Sequence, residues 1–179
     1  MAHFRINIYL SISNFLKSFF ISDPEIKKIE KFINKTSGKR GFVLTSQLRV
    51  GFLILLKYLK KKFPKKKEII FQPFNLPEMI NVAKNLGFKT NFVEQSLETG
   101  EPNLQSLKKR LNKKTLAVVV TNIFNSPSLL LNIKKICSKK KIFLIEDNAI
   151  YFDNHFYKKN KKYFSGSFGD FSLYSFNVM

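Results

Sequence analysis

The chain has 179 residues, enough for one domain with a hydrophobic core, and its 32 Lys and Arg against 12 Asp and Glu give a net charge of +20. The lysines are spread along the chain and the arginines are few, whereas phosphates and base edges are usually read by arginine, so we expect no nucleic-acid partner. The single cysteine, Cys137, excludes an internal disulfide and indicates a reducing cytoplasm. No apolar run reaches the roughly 20 residues of a membrane span, so we expect no membrane partner.

The first elements are helical. Residues 1–22 are predicted to form an N-terminal extension, partly helical, and the folded domain is predicted to cover residues 23–179. Asp23 followed by Pro24 is a typical helix start, and apolar residues recur at helical spacing up to residues 34–38. A short strand is then predicted at 41–46 and a long apolar helix at 48–63.

Strands and helices alternate in the remainder of the chain. The apolar patterns predict strands at 68–72, 90–94, 116–120 and 142–145, and helices at 78–86, 103–111 and 129–139. Runs that are apolar on both faces, such as 116–120, indicate buried parallel strands. The alternation predicts an α/β fold with a mainly parallel, doubly wound sheet.

Two acids end the last of these runs. Residues 142–145 read IFLI and are followed by Glu146 and Asp147. Ligands of open α/β sheets bind outside the carboxyl ends of the strands, which makes Asp147 the first candidate site residue. Two alternatives remain open at this point: an ordinary acid at a strand end, or acids that bind Mg²⁺ as in a nucleotidase or a P-loop ATPase. The glycine-rich phosphate loop of a P-loop enzyme is absent.

The segment IEDNA at 145–149, with GSFGDFSLYSF at 166–176, resembles the signature of the DegT/DnrJ/EryC1/StrS aminotransferases. The resemblance implies the large domain of the aspartate-aminotransferase fold (fold type I) and pyridoxal 5'-phosphate (PLP) as cofactor. Asp147 would contact the pyridine nitrogen of PLP and Ser175 its phosphate. The Schiff-base lysine would follow directly after Met179, so residues 1–179 alone are expected not to transaminate and to lack the small C-terminal domain.

The same resemblance marks a phosphate-binding junction and a ring contact. Gln47 and Arg49 match the family pattern at the start of the helix predicted from residue 48, where backbone N–H groups bind phosphate. Leu48 stands where the family usually has glycine and is expected to crowd the phosphate. Phe74, or Leu76, would stack on the PLP ring, and the alternative is a buried phenylalanine in a loop.

The implied activity is transfer of an amino group, typically from glutamate, to a nucleotide-linked keto-sugar for polysaccharide or antibiotic-sugar biosynthesis. Family members act as homodimers. Ile150 stands where the family usually has Gln or His. Isoleucine cannot donate a hydrogen bond, so the resemblance implies a changed substrate range. Two alternatives are kept: a dehydratase of the same family, which has histidine in place of the lysine, and a basic nucleic-acid-binding module. His155 has no second His or Cys nearby, so no metal site is expected.

Overall fold

The structure is a computed structural model that describes residues 12–13, 16, 19–20, 23–39, 41–123, 125–150, 156–158 and 161–175. The chain divides into two compact units, residues 1–42 with 176–179, and residues 43–175. None of the described helices is long and apolar enough to cross a membrane.

The first unit contains helix α1 (Asp23–Ser37), as predicted. Gly38 follows its last turn at φ +70°, a conformation that glycine adopts without strain, and its N–H bonds the carbonyl of Asn34. The predicted cap, the side chain of Asp23, and most of residues 1–22 lie outside the described part of the chain.

The second unit alternates helices and strands as predicted. Its elements are α2 (Leu48–Lys62), β1 (Glu68–Phe71), α3 (Pro77–Asn85), β2 (Lys89–Phe92), α4 (Leu104–Arg110), β3 (Thr115–Thr121), α5 (Pro127–Lys139), β4 (Phe143–Asn148), β5 (Phe156–Lys158), β6 (Lys161–Tyr163) and β7 (Phe171–Tyr174).

Five of these strands form one parallel sheet in the order β2-β1-β3-β4-β7, and β5 and β6 pair as a separate antiparallel hairpin. Every residue of β1 and β3 is buried, which is why these strands read as continuous apolar runs. The mainly parallel α/β architecture predicted from the sequence is confirmed.

The sheet separates two hydrophobic cores. On one side Phe71, Val119 and Ile145 pack with apolar residues of α2 and α3. On the other side Val118 and Leu144 pack with α4 and α5. Cys137 belongs to the second core, as predicted, and burial raises the pKa of its thiol to about 12, so it is unreactive.

One prediction about local structure is wrong, and one element was not predicted. Residues 41–46 form no strand: none of the described strands runs beside them, and Val43 and Leu44 are 73% and 57% exposed. An extended segment becomes a strand only when a neighbour takes up its backbone hydrogen bonds. The β5–β6 hairpin was not predicted, because three-residue strands give too short a pattern. His155 lies outside the described residues.

Candidate functional site

The carboxyl ends of β3, β4 and β7 meet around Asp147. In the register of the sheet, Asp147 stands between Thr121 of β3 and Leu173 of β7. Alternate residues of a strand face the same side, so Asp147 faces the same side as Ile145, towards α2 and α3. The Asp147 residue is only 3% exposed.

Burial sets the chemistry of this carboxyl group. Desolvation raises the pKa of Asp147 to about 6, against the opposing effect of a hydrogen bond from the backbone N–H of Ala149. That bond, of 3.0 Å, goes to Oδ1. Oδ2 has no hydrogen-bond partner among the described residues. Asp147 can therefore bind or release a proton near neutral pH and has one oxygen available for a ligand.

The N-terminus of α2 lies at this same edge of the sheet, because a helix that leads into a parallel strand runs opposite to it. Gln47 occupies the N-cap position in an extended conformation but makes no side-chain cap. Its Oε1 instead accepts a 2.8 Å bond from Nε of Arg49. The backbone N–H groups of Leu48 and Arg49 have no acceptor in the described part of the chain, and the first turn contains no acid.

This uncapped helix start differs from two others in the structure. Asn103 caps α4 and Ser126 caps α5, each through a side-chain oxygen that accepts from the first turn. Free N–H groups and the helix dipole together make the start of α2 suitable for an anion. The side chain of Leu48 packs against the core under α2. The expectation that Leu48 crowds a bound phosphate stays a prediction.

Ser175 and Phe74 lie near the same edge. Ser175 is half-buried and comes two residues after Leu173, the neighbour of Asp147 in the sheet. Phe74 follows β1 and is 57% exposed, so the alternative of a buried phenylalanine in a loop is wrong. Ile150 follows β4 and is likewise exposed.

Thr121 and Asn75 also lie at this edge and were not predicted as site residues. Nδ2 of Asn75 donates a 2.8 Å bond to Oγ1 of Thr121, and Oδ1 of Asn75 is buried without a hydrogen-bond partner among the described residues. Thr121 directly ends the apolar run of β3, the same signal that identified Asp147 on β4. Asn75 gave no such signal, since it lies in an irregular turn.

Glu146 faces the opposite side of the sheet from Asp147 and is completely buried. Its Oε2 accepts from the N–H of Gly166 at 3.1 Å and from Nδ2 of Asn122 at 2.9 Å, and its Oε1 accepts from the N–H of Gly169. These bonds tie the turn before β7 to β4. A Cβ at Gly169 would lie 2.9 Å from the carbonyl oxygens of Leu144 and Phe171, so only glycine fits there.

The opposed directions of Glu146 and Asp147 argue against the Mg²⁺ alternative, because the two carboxylates cannot bind one ion. The described residues also contain no group of three or more His, Cys, Asp and Glu side chains that could hold a metal.

Comparison with known proteins identifies the family. The model of the DegT/DnrJ/EryC1/StrS aminotransferase family matches residues 7–179, and so begins inside the predicted extension of residues 1–22. GDP-perosamine synthase of Escherichia coli O157:H7 is 26% identical over 149 residues, which are 83% of this chain and 40% of that protein. The chain thus spans about two fifths of the length of this relative.

Two solved structures show the same fold. An aminotransferase TlmJ from Streptoalloteichus hindustanus superimposes with a TM-score of 0.73 at 21% identity, over 87% of this chain and 41% of that one. GDP-4-keto-6-deoxy-D-mannose-3-dehydratase of E. coli, with bound hydrated PLP, gives 0.68 at 25% identity, over 84% and 39%. The predicted aspartate-aminotransferase fold is confirmed, and the chain belongs to the DegT/DnrJ/EryC1/StrS aminotransferase family.

Proposed function

We propose that these residues form most of the PLP-binding large domain of an aminotransferase that acts on a nucleotide-linked keto-sugar. The observation that carries the proposal is Asp147, a buried carboxyl group with one available oxygen at the carboxyl end of β4. Residues 23–179 are the domain in this proposal, with a small C-terminal domain in the longer protein.

The residues at this edge fit PLP. When bound, PLP supplies an electron sink, and its strength depends on a protonated pyridine nitrogen. Oδ2 of Asp147 would meet that nitrogen. A cationic ring nitrogen lowers the pKa of a neighbouring carboxyl group, so Asp147 would be ionised in the complex and would keep the proton on the ring.

The phosphate would bind at the start of α2. The N–H groups of Leu48 and Arg49 supply hydrogen bonds, and the guanidinium of Arg49, held by Gln47, adds positive charge. Ser175 would add its hydroxyl group. The exposed ring of Phe74 is the candidate that covers the face of the cofactor ring.

The relatives indicate the class of substrate. The GDP-perosamine synthases and GDP-4-keto-6-deoxy-D-mannose 3-dehydratases that this chain resembles are named for GDP-linked sugars. We propose a GDP-linked keto-sugar as substrate, glutamate as amino donor, and a homodimer in the cytoplasm as the working form.

The test uses the longest natural chain that contains these residues. With PLP, glutamate and GDP-4-keto-6-deoxy-D-mannose, we expect a GDP-linked amino sugar and 2-oxoglutarate, measured by mass spectrometry. Products without nitrogen that have lost the 3-hydroxyl group would instead identify a dehydratase. That alternative is favoured by dehydratase relatives, one of them 27% identical over 146 residues. The absence of both products would contradict the proposal.

A substitution at the start of α2 tests the phosphate site separately. Gln47→Asp places a carboxylate at an extended N-cap position, which should raise the free energy of unfolding by about 1 kcal/mol. The same carboxylate competes with phosphate, so PLP affinity should fall at least about 10-fold, as expected for one lost charge-assisted contact. Urea unfolding and PLP titration followed by absorbance measure the two effects.

The matched control is Gln47→Asn, which can cap the helix without adding charge. It should therefore raise the free energy of unfolding without the same loss of PLP affinity. Pyridoxal, which lacks the phosphate, should bind the Asp variant and the wild type equally. Equal weakening of PLP and pyridoxal would place the phosphate elsewhere.

A further inference from the structure

Lysines gather at the amino-terminal edge of the sheet, opposite to the candidate site. Each connection that leads from a helix into β1, β3 or β4 contains a lysine run, and the connection into β2 has a lysine on either side. We call the following residues the lysine face: residues 60–62, 65–67, 84, 89, 113–114 and 139–141. All are exposed except the half-buried Lys66.

Hydrogen bonds join these runs into one surface although they are far apart in the sequence. The N–H of Lys67 bonds the carbonyl of Lys114 at 2.8 Å, and the N–H of Lys89 bonds the carbonyl of Lys67 at 2.9 Å. Nζ of Lys66 donates to the carbonyl of Lys141 at 2.7 Å. Because neighbouring strands are ~4.8 Å apart, the runs from β2 to β4 span roughly 15 Å of the sheet edge.

Acidic residues are segregated from this face. Glu68 begins β1 and Asp170 precedes β7 at the same edge. Glu68 is buried and bonded to Asn112 and Thr115, and Asp170 pairs with Lys134. The exposed Glu78, Glu94 and Glu98 lie after strands or at a helix start, near the carboxyl edge.

Helix dipoles explain only part of this charge. Cations in the last turn of a helix are favoured, which accounts for residues 60–62 and 139. The effect falls off within one turn, whereas residues 65–67, 113–114 and 140–141 lie beyond the helix ends. Like charges held this close oppose folding, so an external anion would relieve their repulsion.

We propose that the lysine face binds the surface of an anionic lipid membrane without entering it. This replaces the expectation of no membrane partner, which rested only on the absence of an apolar run long enough to span a membrane. Clustered lysines attract anionic headgroups additively, and the face extends over four connections of the sheet, which suits a flat partner. A nucleic-acid site would favour arginine and exposed aromatic rings. The lysine face contains no arginine, and the aromatic ring between its first two runs, Phe63, packs against Phe143 at 5.2 Å. The candidate site at Asp147 would face away from the lipid.

Vesicle co-sedimentation tests the proposal. The wild-type chain should bind vesicles of phosphatidylcholine with 30% phosphatidylserine and not vesicles of phosphatidylcholine alone, and 0.5 M salt should release it. A variant with Lys65→Gln, Lys67→Gln, Lys113→Gln and Lys114→Gln should partition on the order of 1000-fold less, from the usual contribution of about 1 kcal/mol for each lysine near an anionic surface. These four side chains make no hydrogen bond with the described residues.

The matched control changes four exposed lysines of α1, with Lys27→Gln, Lys28→Gln, Lys31→Gln and Lys35→Gln, and so loses the same net charge. It should bind the anionic vesicles within a few-fold of the wild type. Equal losses of vesicle binding in both variants would mean that only the net charge matters, and this would overturn the proposal. The proposal would also be overturned if the wild-type chain did not bind the anionic vesicles. Tighter binding to a 30-base-pair DNA duplex, lost in the first variant only, would assign the face to nucleic acid instead. Urea unfolding checks that both variants are folded.

Discussion

The Asp147→Asn variant is expected to be more stable than the wild-type chain at pH 7.5 and nearly equal to it at pH 4, in the absence of PLP. The pKa of Asp147 is raised to about 6 in the folded chain, from an ordinary value of 3.8. For a raised pKa, the contribution to stability is present below the unfolded value and is lost as pH rises through the folded value. The wild type therefore loses about 3 kcal/mol between pH 4 and pH 7, at 1.36 kcal/mol per pKa unit.

Asparagine is not ionised and keeps an oxygen for the N–H of Ala149, so it avoids this loss. Urea unfolding of both chains at pH 4 and pH 7.5 measures the difference. Glu98→Gln, at an exposed position, is the control and should show no such pH dependence. A stability difference between Asp147→Asn and the wild type that stays constant with pH would contradict the assignment.

The same variant should bind PLP on the order of 1000-fold more weakly, because it leaves a buried cationic nitrogen without its anionic partner. Stability and affinity would then change in opposite directions, as expected for a group whose burial serves binding rather than folding. PLP titration at pH 7.5 measures the affinity. Unchanged affinity together with increased stability would leave Asp147 as an ordinary buried acid.

Glu146→Ala is expected to lower the free energy of unfolding by about 3–5 kcal/mol, because the buried N–H groups of Gly166 and Gly169 lose their Glu146 acceptor. Nδ2 of Asn122 also loses one of its two bonds and keeps only the one to Oδ1 of Asn148. Glu146→Gln should lower the free energy of unfolding by nearly as much, because the N–H groups of its amide would face other N–H donors instead of accepting from them. Urea unfolding measures both. A loss below about 1 kcal/mol would show that the turn before β7 does not depend on this carboxylate.

A paired exchange separates this network from general loss of packing. With Glu146→Gln and Asn122→Asp together, the donor and the acceptor of one bond change places. The double variant should be more stable than the sum of the two single changes predicts, by at least about 1 kcal/mol, as is usual for residues in contact. Strict additivity would mean that the two side chains act independently.

The strands were predictable where the sheet buries both faces. The sequence at 116–120 and 142–145 contains only apolar residues, which predicts β3 to within one residue at each end and the first half of β4. The polar residues 146–148, which complete β4, were not predicted as strand. Residues 42–44 are also apolar, but they have no neighbouring strand among those described, and pairing with a distant strand leaves no mark in a local pattern. The hairpin of β5 and β6 was missed because its three-residue strands are too short to give a pattern.

The site was predictable only in part. Asp147 could be identified because a strand end in a parallel sheet fixes where the next side chain lies. The contacts of Thr121 with Asn75 and of Glu146 with Asn122 join residues 46 and 24 positions apart. Such bonds follow from the order of the strands, which alternation alone does not determine. Nor could the burial of Asp147, and hence its raised pKa, be read from the sequence.

The order of the strands also bears on how the chain folds as it is synthesised. After β1 and β2, each later strand of the sheet joins at one edge in the order of synthesis, first β3, then β4, then β7. A growing chain can therefore extend an existing sheet without opening it, which limits the exposure of unpaired strand edges. Asp147 acquires its second neighbouring strand only when β7 docks, so the surroundings of this buried carboxyl group are complete only after residue 174 has been synthesised.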